Sequence, residues 1–119
     1  MGSQMNNDND QQKQNFLSAW KDGIRYLGKW GPVLFDGDTE TATDREELRP
    51  RSSAIQDSYG VLSTGEQVFV GAMYSFFDPD DGQKLLVIST YENFVTLFRR
   101  LDPPGREIII RLLASHYGW

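Results

Sequence analysis

Three carboxylates in the segment 76–86, FFDPDDGQKLL, have the spacing in this chain that most resembles a catalytic or metal site. Asp78, Asp80 and Asp81 surround a proline and precede a glycine. Such carboxylates can bind a divalent cation or serve as general acid and base, with His116, the single histidine, as a further candidate. The same order of residues is also typical of a helix start, because aspartate caps the first turn and proline suits the first helical position.

The spacing favours the helix start over a metal or catalytic site. A calcium loop beginning at Asp78 would place its glycine one position early and would lack the acid at its last position. A loop beginning at Asp36 has acids at the ligand positions, but Thr41 stands where the sharp turn needs glycine. A second Asp-Pro pair, Asp102 and Pro103, precedes an apolar helix pattern without any acidic cluster. We therefore predict no metal, no cofactor and no catalytic residue.

Length and composition predict one folded domain. The chain has 119 residues, of which 39% are hydrophobic and 13% aromatic, too apolar for a disordered protein. The absence of cysteine excludes disulfides, thiolate catalysis and zinc–cysteine sites. No apolar run is long enough to span a membrane, and the N-terminus lacks the pattern of a secretory signal. We expect a cytoplasmic protein, with Met1–Gln4 a cloning remnant and residues 1–12 a disordered tail.

Hydrophobic periodicity predicts an all-α fold, a compact bundle of four to five helices within residues 13–119. An amphipathic pattern that starts at about Gln14 and stops at Gly31 predicts the first helix. Ser63 and Glu66 have the spacing of a capping box, which predicts a helix over the residues that follow.

Two further helices are predicted in the C-terminal third of the chain. Residues 91–101 show apolar side chains at helical spacing, and residues 103–117 are apolar almost all round, so we expect the latter helix at the centre of the bundle. One alternative stays open for residues 68–90. The alternation from Val68 to Phe76 also fits one arm of a β-hairpin, which would make the domain α+β.

An acidic loop is predicted over residues 35–53, FDGDTETATDREELRPRSS, with a short helical turn at Asp44–Leu48. The chain has a net charge of −5, so nucleic acid and anionic membranes should be repelled. The carboxylates of the loop are candidate contacts for a partner protein with a basic surface, and two aromatic residues near the chain end are candidate anchors. These candidates are Asp36, Asp38, Glu40, Asp44, Glu46, Glu47, Tyr117 and Trp119.

A weaker candidate site lies on the first helix. Lys21, Arg25 and Lys29 recur every four residues beside aromatic side chains, a pattern that can hold phosphates and stack on bases. The simpler interpretation is a solvated charged face, because three cations are few in a chain that is acidic elsewhere.

The sequence as a whole predicts a small, acidic, non-enzymatic interaction or regulatory module that binds another protein. A sharper form of this hypothesis is a phage- or plasmid-type inhibitor that occupies the basic groove of a nucleic-acid-handling complex. Two alternatives stay open: a small metal-dependent hydrolase that uses Asp78, Asp80 and Asp81, and a weak nucleic-acid binder through the first helix.

Overall fold

The computed structural model describes the backbone of residues 2–89 and 94–119. These residues form an all-α bundle, as predicted, but they contain seven α-helices where four to five were predicted, because short helices also form in the connections between the longer ones. Its α-helices are α1 (Gly2–Tyr26), α2 (Gly31–Leu34), α3 (Ser52–Ser58), α4 (Thr64–Phe77), α5 (Pro79–Ser89), α6 (Phe94–Arg99) and α7 (Pro103–Ser115). Short 3-10 turns occupy Gly28–Trp30, Arg45–Leu48 and Tyr59–Val61. Within the described residues there is no β-strand, only an isolated antiparallel bridge between Phe35 and Pro50.

The predicted capping box starts α4. The Ser63 hydroxyl accepts a hydrogen bond from the Glu66 N–H at 3.2 Å, and the Glu66 carboxylate accepts one from the Ser63 N–H at 2.8 Å. The β-hairpin alternative for residues 68–90 is therefore wrong. Apolar residues alternate there because α4 is buried on several sides, so that neighbours such as Phe69 and Val70 are both fully buried.

Two aspartates start the helices that follow, as the Asp-Pro pairs predict. The Asp78 carboxylate accepts a hydrogen bond from the Asp81 N–H at 3.1 Å at the start of α5. The Asp102 carboxylate does the same for the Gly105 N–H at 2.9 Å at the start of α7. Asp80 and Asp81 lie in the first turn of α5, where the helix dipole favours negative charge.

The core is centred on α1 and α4, not on α7. Trp20 on α1 and Phe69 and Met73 on α4 are completely buried. Helix α7 packs along α1, and it leaves Ile110 and Leu113 54% and 58% exposed. The prediction of a central α7 was wrong because a helix without a polar face gives no indication of which side faces solvent.

Helix α1 starts earlier than the sequence predicts. It begins at Gly2, so residues 2–12 are helical where the pattern predicts a disordered tail and a start near Gln14. The Gln12 side chain donates a hydrogen bond to the carbonyl of His116 at 3.2 Å, which ties this part of the helix to the end of the chain. A helix that has already nucleated gains one backbone hydrogen bond for each residue that is added to it, so extension avoids the cost of a new nucleus.

Helix α6 covers part of the helix predicted over residues 91–101. It spans Phe94–Arg99, and residues 90–93 lie outside the described residues. In the described part of the chain, no helix combines the length and the apolar character that crossing a membrane requires.

Candidate partner-binding surface

The carboxylates of the predicted loop lie in the segment 36–47, which alone is called the acidic loop below and accounts for the net charge of the protein. The predicted loop extends to residue 53, but α3 begins at Ser52, so its last two residues are helical. The acidic loop contains six carboxylates and one arginine, a net charge of −5, which equals the charge of the whole chain. The other eleven acidic residues are balanced by eleven lysines and arginines elsewhere. The charge asymmetry of the protein therefore resides in one short segment.

The ends of the acidic loop are held together by backbone pairing. The Asp36 N–H donates to the carbonyl of Arg49 at 2.9 Å, and the Arg51 N–H donates to the carbonyl of Leu34 at 2.7 Å. Gly37 has a φ of +75°, a conformation that residues with a side chain rarely adopt. The two chain segments that connect the loop to the bundle are therefore held side by side by backbone hydrogen bonds, and this pair of segments is called the neck of the loop below.

Within the loop, three of the carboxylates hold the backbone in place. Asp38 accepts a hydrogen bond from the Glu40 N–H at 2.8 Å and so forms a tight turn. Asp44 and Glu47 form a second capping box at the 3-10 turn. Hydrogen bonds from Thr43 and from the Asp44 N–H lower the pKa of Glu47, the backbone N–H of Thr43 contributing most. The loop is thus folded by its own acidic side chains.

Buried side chains anchor the loop to the core. Ala42 and Leu48 are 4% and 1% exposed. The indole N–H of Trp20, itself completely buried, donates a hydrogen bond to the carbonyl of Leu48 at 2.8 Å. Because this donor and this acceptor are both shielded from water, breaking the bond would leave both without a partner.

All six carboxylates of the loop belong to exposed residues. Asp36 pairs with Arg51 at 3.4 Å and Glu46 pairs with Arg49 at 3.2 Å, and these side chains are each about half exposed. Glu40 makes no hydrogen bond or ion pair through its carboxylate within the described part of the chain. Exposed pairs of this kind add little stability, so Asp36, Glu40 and Glu46 are available to another molecule.

Arg45, the one cation of the loop, points inward. It is 9% exposed, and its guanidinium carbon lies 3.8 Å from the centre of the Tyr117 ring, 4.7 Å from that of Trp119 and 5.3 Å from that of Phe16. These three rings and Arg45 are called the arginine cage below. The loop therefore presents its negative charges to solvent and withdraws its positive charge into the bundle.

The two aromatic candidates near the chain end have different positions. Tyr117 is 37% exposed and lies beside the loop. The pKa of its hydroxyl is raised, mainly by burial; the charge of Arg45 opposes this rise and the charge of Asp44 adds to it. Trp119 is only partly exposed, and its ring packs on Trp20 at 4.9 Å. The structure therefore brings Tyr117 to the edge of the acidic loop and makes Trp119 part of the packing beneath it.

The basic residues of the first helix do not form a continuous stripe. Lys21 and Arg25 lie on α1, but Lys29 belongs to the 3-10 turn that follows the helix. Arg25 pairs with Asp22 at 3.4 Å and donates to the carbonyl of Thr39 at 3.3 Å. One of the three cations is thus engaged with an acid and with the acidic loop itself.

The aromatic residues beside those cations serve the core. Trp20 is completely buried, and the ring of Tyr26 packs on Phe69 at 4.6 Å. The Tyr26 hydroxyl donates to Asp102 at 2.6 Å, and burial together with this bond raises the pKa of Tyr26 to about 12. Trp20 therefore offers no ring face for stacking with a base, whereas the ring of Tyr26 packs on Phe69 and remains 36% exposed.

Asp78, Asp80 and Asp81, the candidate catalytic carboxylates of a metal-dependent hydrolase, lie at the start of α5. Asp78 is engaged as a cap, and no group of three or more potential metal ligands occurs among the described residues. His116 packs against the ring of Phe76 at 5.1 Å, and burial and the charge of Arg45 lower the pKa of its ring. The hydrolase hypothesis gains no geometric support from these positions.

A cleft of about 450 Å³ lies between α3, α4 and α5. Tyr59 lines it, and the Tyr59 hydroxyl lies 2.9 Å from the backbone carbonyl oxygens of Gln67 and Leu85. Asp81 and Lys84 also line it and form an ion pair at 3.7 Å. The charges of the cleft balance, so it gives no electrostatic preference for a ligand.

Sequence reasoning identified the acidic loop but missed the role of Arg45. The available indication was that Arg45 is the only cation between Asp36 and Glu47, whereas its stacking partners lie far away along the chain. Comparison with known proteins gives no guide to the function of this surface: no protein family, no curated protein and no solved structure matches the chain.

Proposed function

We propose that this protein is a non-enzymatic interaction module that presents the acidic loop to a basic surface of another protein. The observation that supports it most strongly is the division of charge in the loop. Six carboxylates belong to exposed residues, while the single arginine is buried among aromatic rings. A loop that only improved solubility would not need its one cation to be withdrawn.

The folded backbone of the loop favours binding. A partner that docks on a flexible loop must order it, which costs binding free energy, whereas a preorganised loop avoids this cost. The backbone bonds at the neck, the turn at Asp38 and the capping box of Asp44 and Glu47 all fix the loop before any partner arrives. Concentrated negative charge also accelerates encounter with a basic surface, an effect that falls as salt is added.

Tyr117 gives the surface an aromatic component. Its ring lies at the edge of the loop and is 37% exposed, and tyrosine is enriched among the residues that contribute most to protein interfaces. Arginine or lysine side chains of a partner can contact the loop carboxylates and this ring together.

The finer form of the proposal concerns the kind of partner. A groove that binds nucleic acid carries cations spaced to meet phosphates, and a rigid row of carboxylates can occupy such a groove in place of the nucleic acid. We propose a basic groove of a nucleic-acid-handling protein as the target, with inhibition of nucleic-acid binding as the consequence.

The structure permits a test that leaves the loop folded. The variant Asp36→Asn, Glu40→Gln, Glu46→Gln removes three charges but keeps the carboxylates that hold the backbone. A matched control removes the same number of charges from exposed acids elsewhere. The control substitutions are Asp10→Asn, Asp57→Asn and Glu107→Gln.

The readout is capture of proteins from the native host, identified by mass spectrometry and repeated over a series of salt concentrations. The wild type and the control should capture the same basic protein, and the loop variant should capture much less of it. Capture should also weaken with salt in the wild type. Equal capture by the loop variant and the control would refute the acidic loop as the binding surface.

Two inexpensive measurements address the alternatives. A metal-dependent hydrolase should gain thermal stability when magnesium or calcium is added, because a ligand that binds the folded state raises its Tm. A nucleic-acid binder should show a salt-dependent gel shift. We expect neither effect.

A further inference from the structure

The cleft between α3, α4 and α5 has the size of a small-molecule site. Ser52, Ile55 and Gln56 line it from α3, at the spacing that places side chains on one face of a helix. Gln67 and Tyr74 line it from α4, and they are seven positions apart, so the cleft extends about 10 Å along that helix. Its volume of about 450 Å³ lies in the range of pockets that bind small ligands.

Hydrogen bonds among the lining residues fix the walls of the cleft. The Tyr59 hydroxyl lies 2.9 Å from the carbonyl oxygens of Gln67 and Leu85, and the Gln67 side chain donates to the carbonyl of Tyr59 at 2.8 Å. These contacts connect the 3-10 turn at Tyr59 with both α4 and α5. Ile55, Tyr59 and Leu85 are buried residues of the core, and they are called the apolar wall of the cleft below. A ligand that enters does not need to order this wall, which favours binding.

Unused hydrogen-bonding groups line the cleft beside the apolar wall. The hydroxyls of Ser52 and Tyr74 share one hydrogen bond, in which either can be the donor. This bond uses one of their two hydrogens, so one O–H stays free to donate, since neither hydroxyl has another partner among the described residues. Gln56 lies one turn after Ser52, and its side-chain amide makes no hydrogen bond within the same part of the chain. The cleft therefore offers a free hydroxyl donor next to an amide that can both donate and accept.

The charged residues that line the cleft, within the part of the chain that the structure describes, neutralise each other. Asp81 and Lys84 form an ion pair at 3.7 Å, and their side chains are 46% and 77% exposed, so the pair lies towards solvent. An ion that entered the cleft would lose water and would find no unpaired charge of the opposite sign. The cleft therefore favours a ligand without net charge.

We propose that this cleft binds a small, flat, uncharged aromatic molecule that carries an amide group. The ring packs on the apolar wall and so removes apolar surface from water. The amide carbonyl accepts a hydrogen bond from the free O–H of the Ser52–Tyr74 pair, and the amide N–H donates to the side-chain oxygen of Gln56. The acidic loop takes no part in this site, so the proposal does not depend on the proposed partner surface.

Benzamide, benzamidine and benzoate test the proposal on the whole protein. They share one ring and nearly one shape, but they carry no charge, a positive charge and a negative charge. Each is titrated at constant ionic strength into the isotope-labelled protein, and the backbone amide resonances are recorded. Benzamide should give saturable shifts that are largest at cleft residues such as Gly60 and Gln67, with a Kd on the order of a millimolar, as expected for so small a ligand. Benzamidine and benzoate should bind about tenfold more weakly because each would bring an unpaired charge into the cleft.

Two double variants then connect the response to the hydroxyl pair. Ser52→Ala with Tyr74→Phe removes both partners of one hydrogen bond, a change that leaves folding nearly unaffected, and circular dichroism checks this. The variant should bind benzamide about fivefold more weakly, the effect of one lost neutral hydrogen bond. The control Ser53→Ala with Tyr117→Phe removes the same two groups from outside the cleft, because Ser53 is exposed on α3 and Tyr117 belongs to the arginine cage. The control should bind benzamide as the wild type does.

Each outcome decides the question. The absence of a saturable response to benzamide, or shifts that are largest outside the cleft, would overturn the proposal. Binding of benzamidine or benzoate as tight as that of benzamide would overturn the assignment to an uncharged ligand. Equal affinity of the Ser52→Ala, Tyr74→Phe variant and the control would overturn the role of the hydroxyl pair. The comparison of the three molecules uses the wild type, so it decides the matter even if a variant fails to fold.

Discussion

Replacing Gly37 with alanine should destabilise the acidic loop without changing its charge. Gly37 has a φ of +75°, a region in which an L-residue clashes with its own backbone. An alanine Cβ there would in addition overlap the backbone carbonyl oxygen of Glu47 and contact the side chain of Leu48 at 3.3 Å. The carbonyl belongs to the backbone of the same loop, so the overlap can be relieved only by moving one side of the loop.

Two effects add up to the expected destabilisation by Gly37→Ala, and the same substitution at Gly28 measures one of them alone. The left-handed conformation costs about 1–2 kcal/mol for alanine, and an overlap with a rigid neighbour costs about 1–3 kcal/mol more. Gly28 has a similar φ of +59°, but apart from its chain neighbours and its own helical turn, no described residue has an atom within 4 Å of the position of its Cβ. Gly28→Ala should therefore show only the first cost, and Gly37→Ala should be about 2 kcal/mol less stable than Gly28→Ala.

Urea unfolding followed by tryptophan fluorescence measures both variants against the wild type. Hydrogen exchange of the amides in residues 36–47 then shows where stability is lost, and the faster exchange should be confined to the acidic loop in Gly37→Ala. If the two variants are equally stable, or if the loop amides of Gly37→Ala exchange as in the wild type, the loop is not held as rigidly as its contacts indicate.

Three further substitutions test other contacts. Trp20→Phe removes the buried hydrogen bond to Leu48, so it should cost about 1–3 kcal/mol in urea unfolding and speed exchange in the loop. Tyr26→Phe removes the hydroxyl whose pKa is raised to about 12. The wild type should lose stability as the pH rises from about 10 towards 12, and the variant should lose less over the same range, because Tyr117 still contributes. Glu47→Gln removes a carboxylate whose pKa is lowered in the folded state. In the wild type the ionised carboxylate stabilises the folded state at pH values above its unfolded pKa of about 4.3, and this stabilisation is lost as the pH falls through the folded pKa. The free energy of unfolding of the variant should therefore fall less steeply than that of the wild type as the pH is lowered.

Local patterns made the helix starts predictable. Ser63, Asp78 and Asp102 each bond to an N–H three residues further on, so their effect can be recognised from a few neighbouring letters of sequence. The acidic loop was predictable for the same reason, because its composition changes abruptly after Phe35.

Long-range packing was not predictable. Arg45 is buried by Phe16 and by Tyr117, residues that are 29 positions before it and 72 positions after it in the chain. In the sequence Arg45 differs from its neighbours only as the single cation between Asp36 and Glu47, and that position does not indicate that its side chain is buried while the side chain of Arg49 is half exposed. The exposed face of α7 was missed for a related reason, since only the position of α1 decides which of its apolar side chains are covered.

The central claim, that the acidic loop binds a basic partner, is tested most directly by mapping the bound surface. Amide resonances of the isotope-labelled protein are compared before and after addition of the partner captured from the host. The largest changes should fall on residues 36–47 and on Tyr117, and they should vanish in the variant Asp36→Asn, Glu40→Gln, Glu46→Gln. Changes that cluster instead at the cleft between α3, α4 and α5, with the acidic loop unaffected, would contradict the claim.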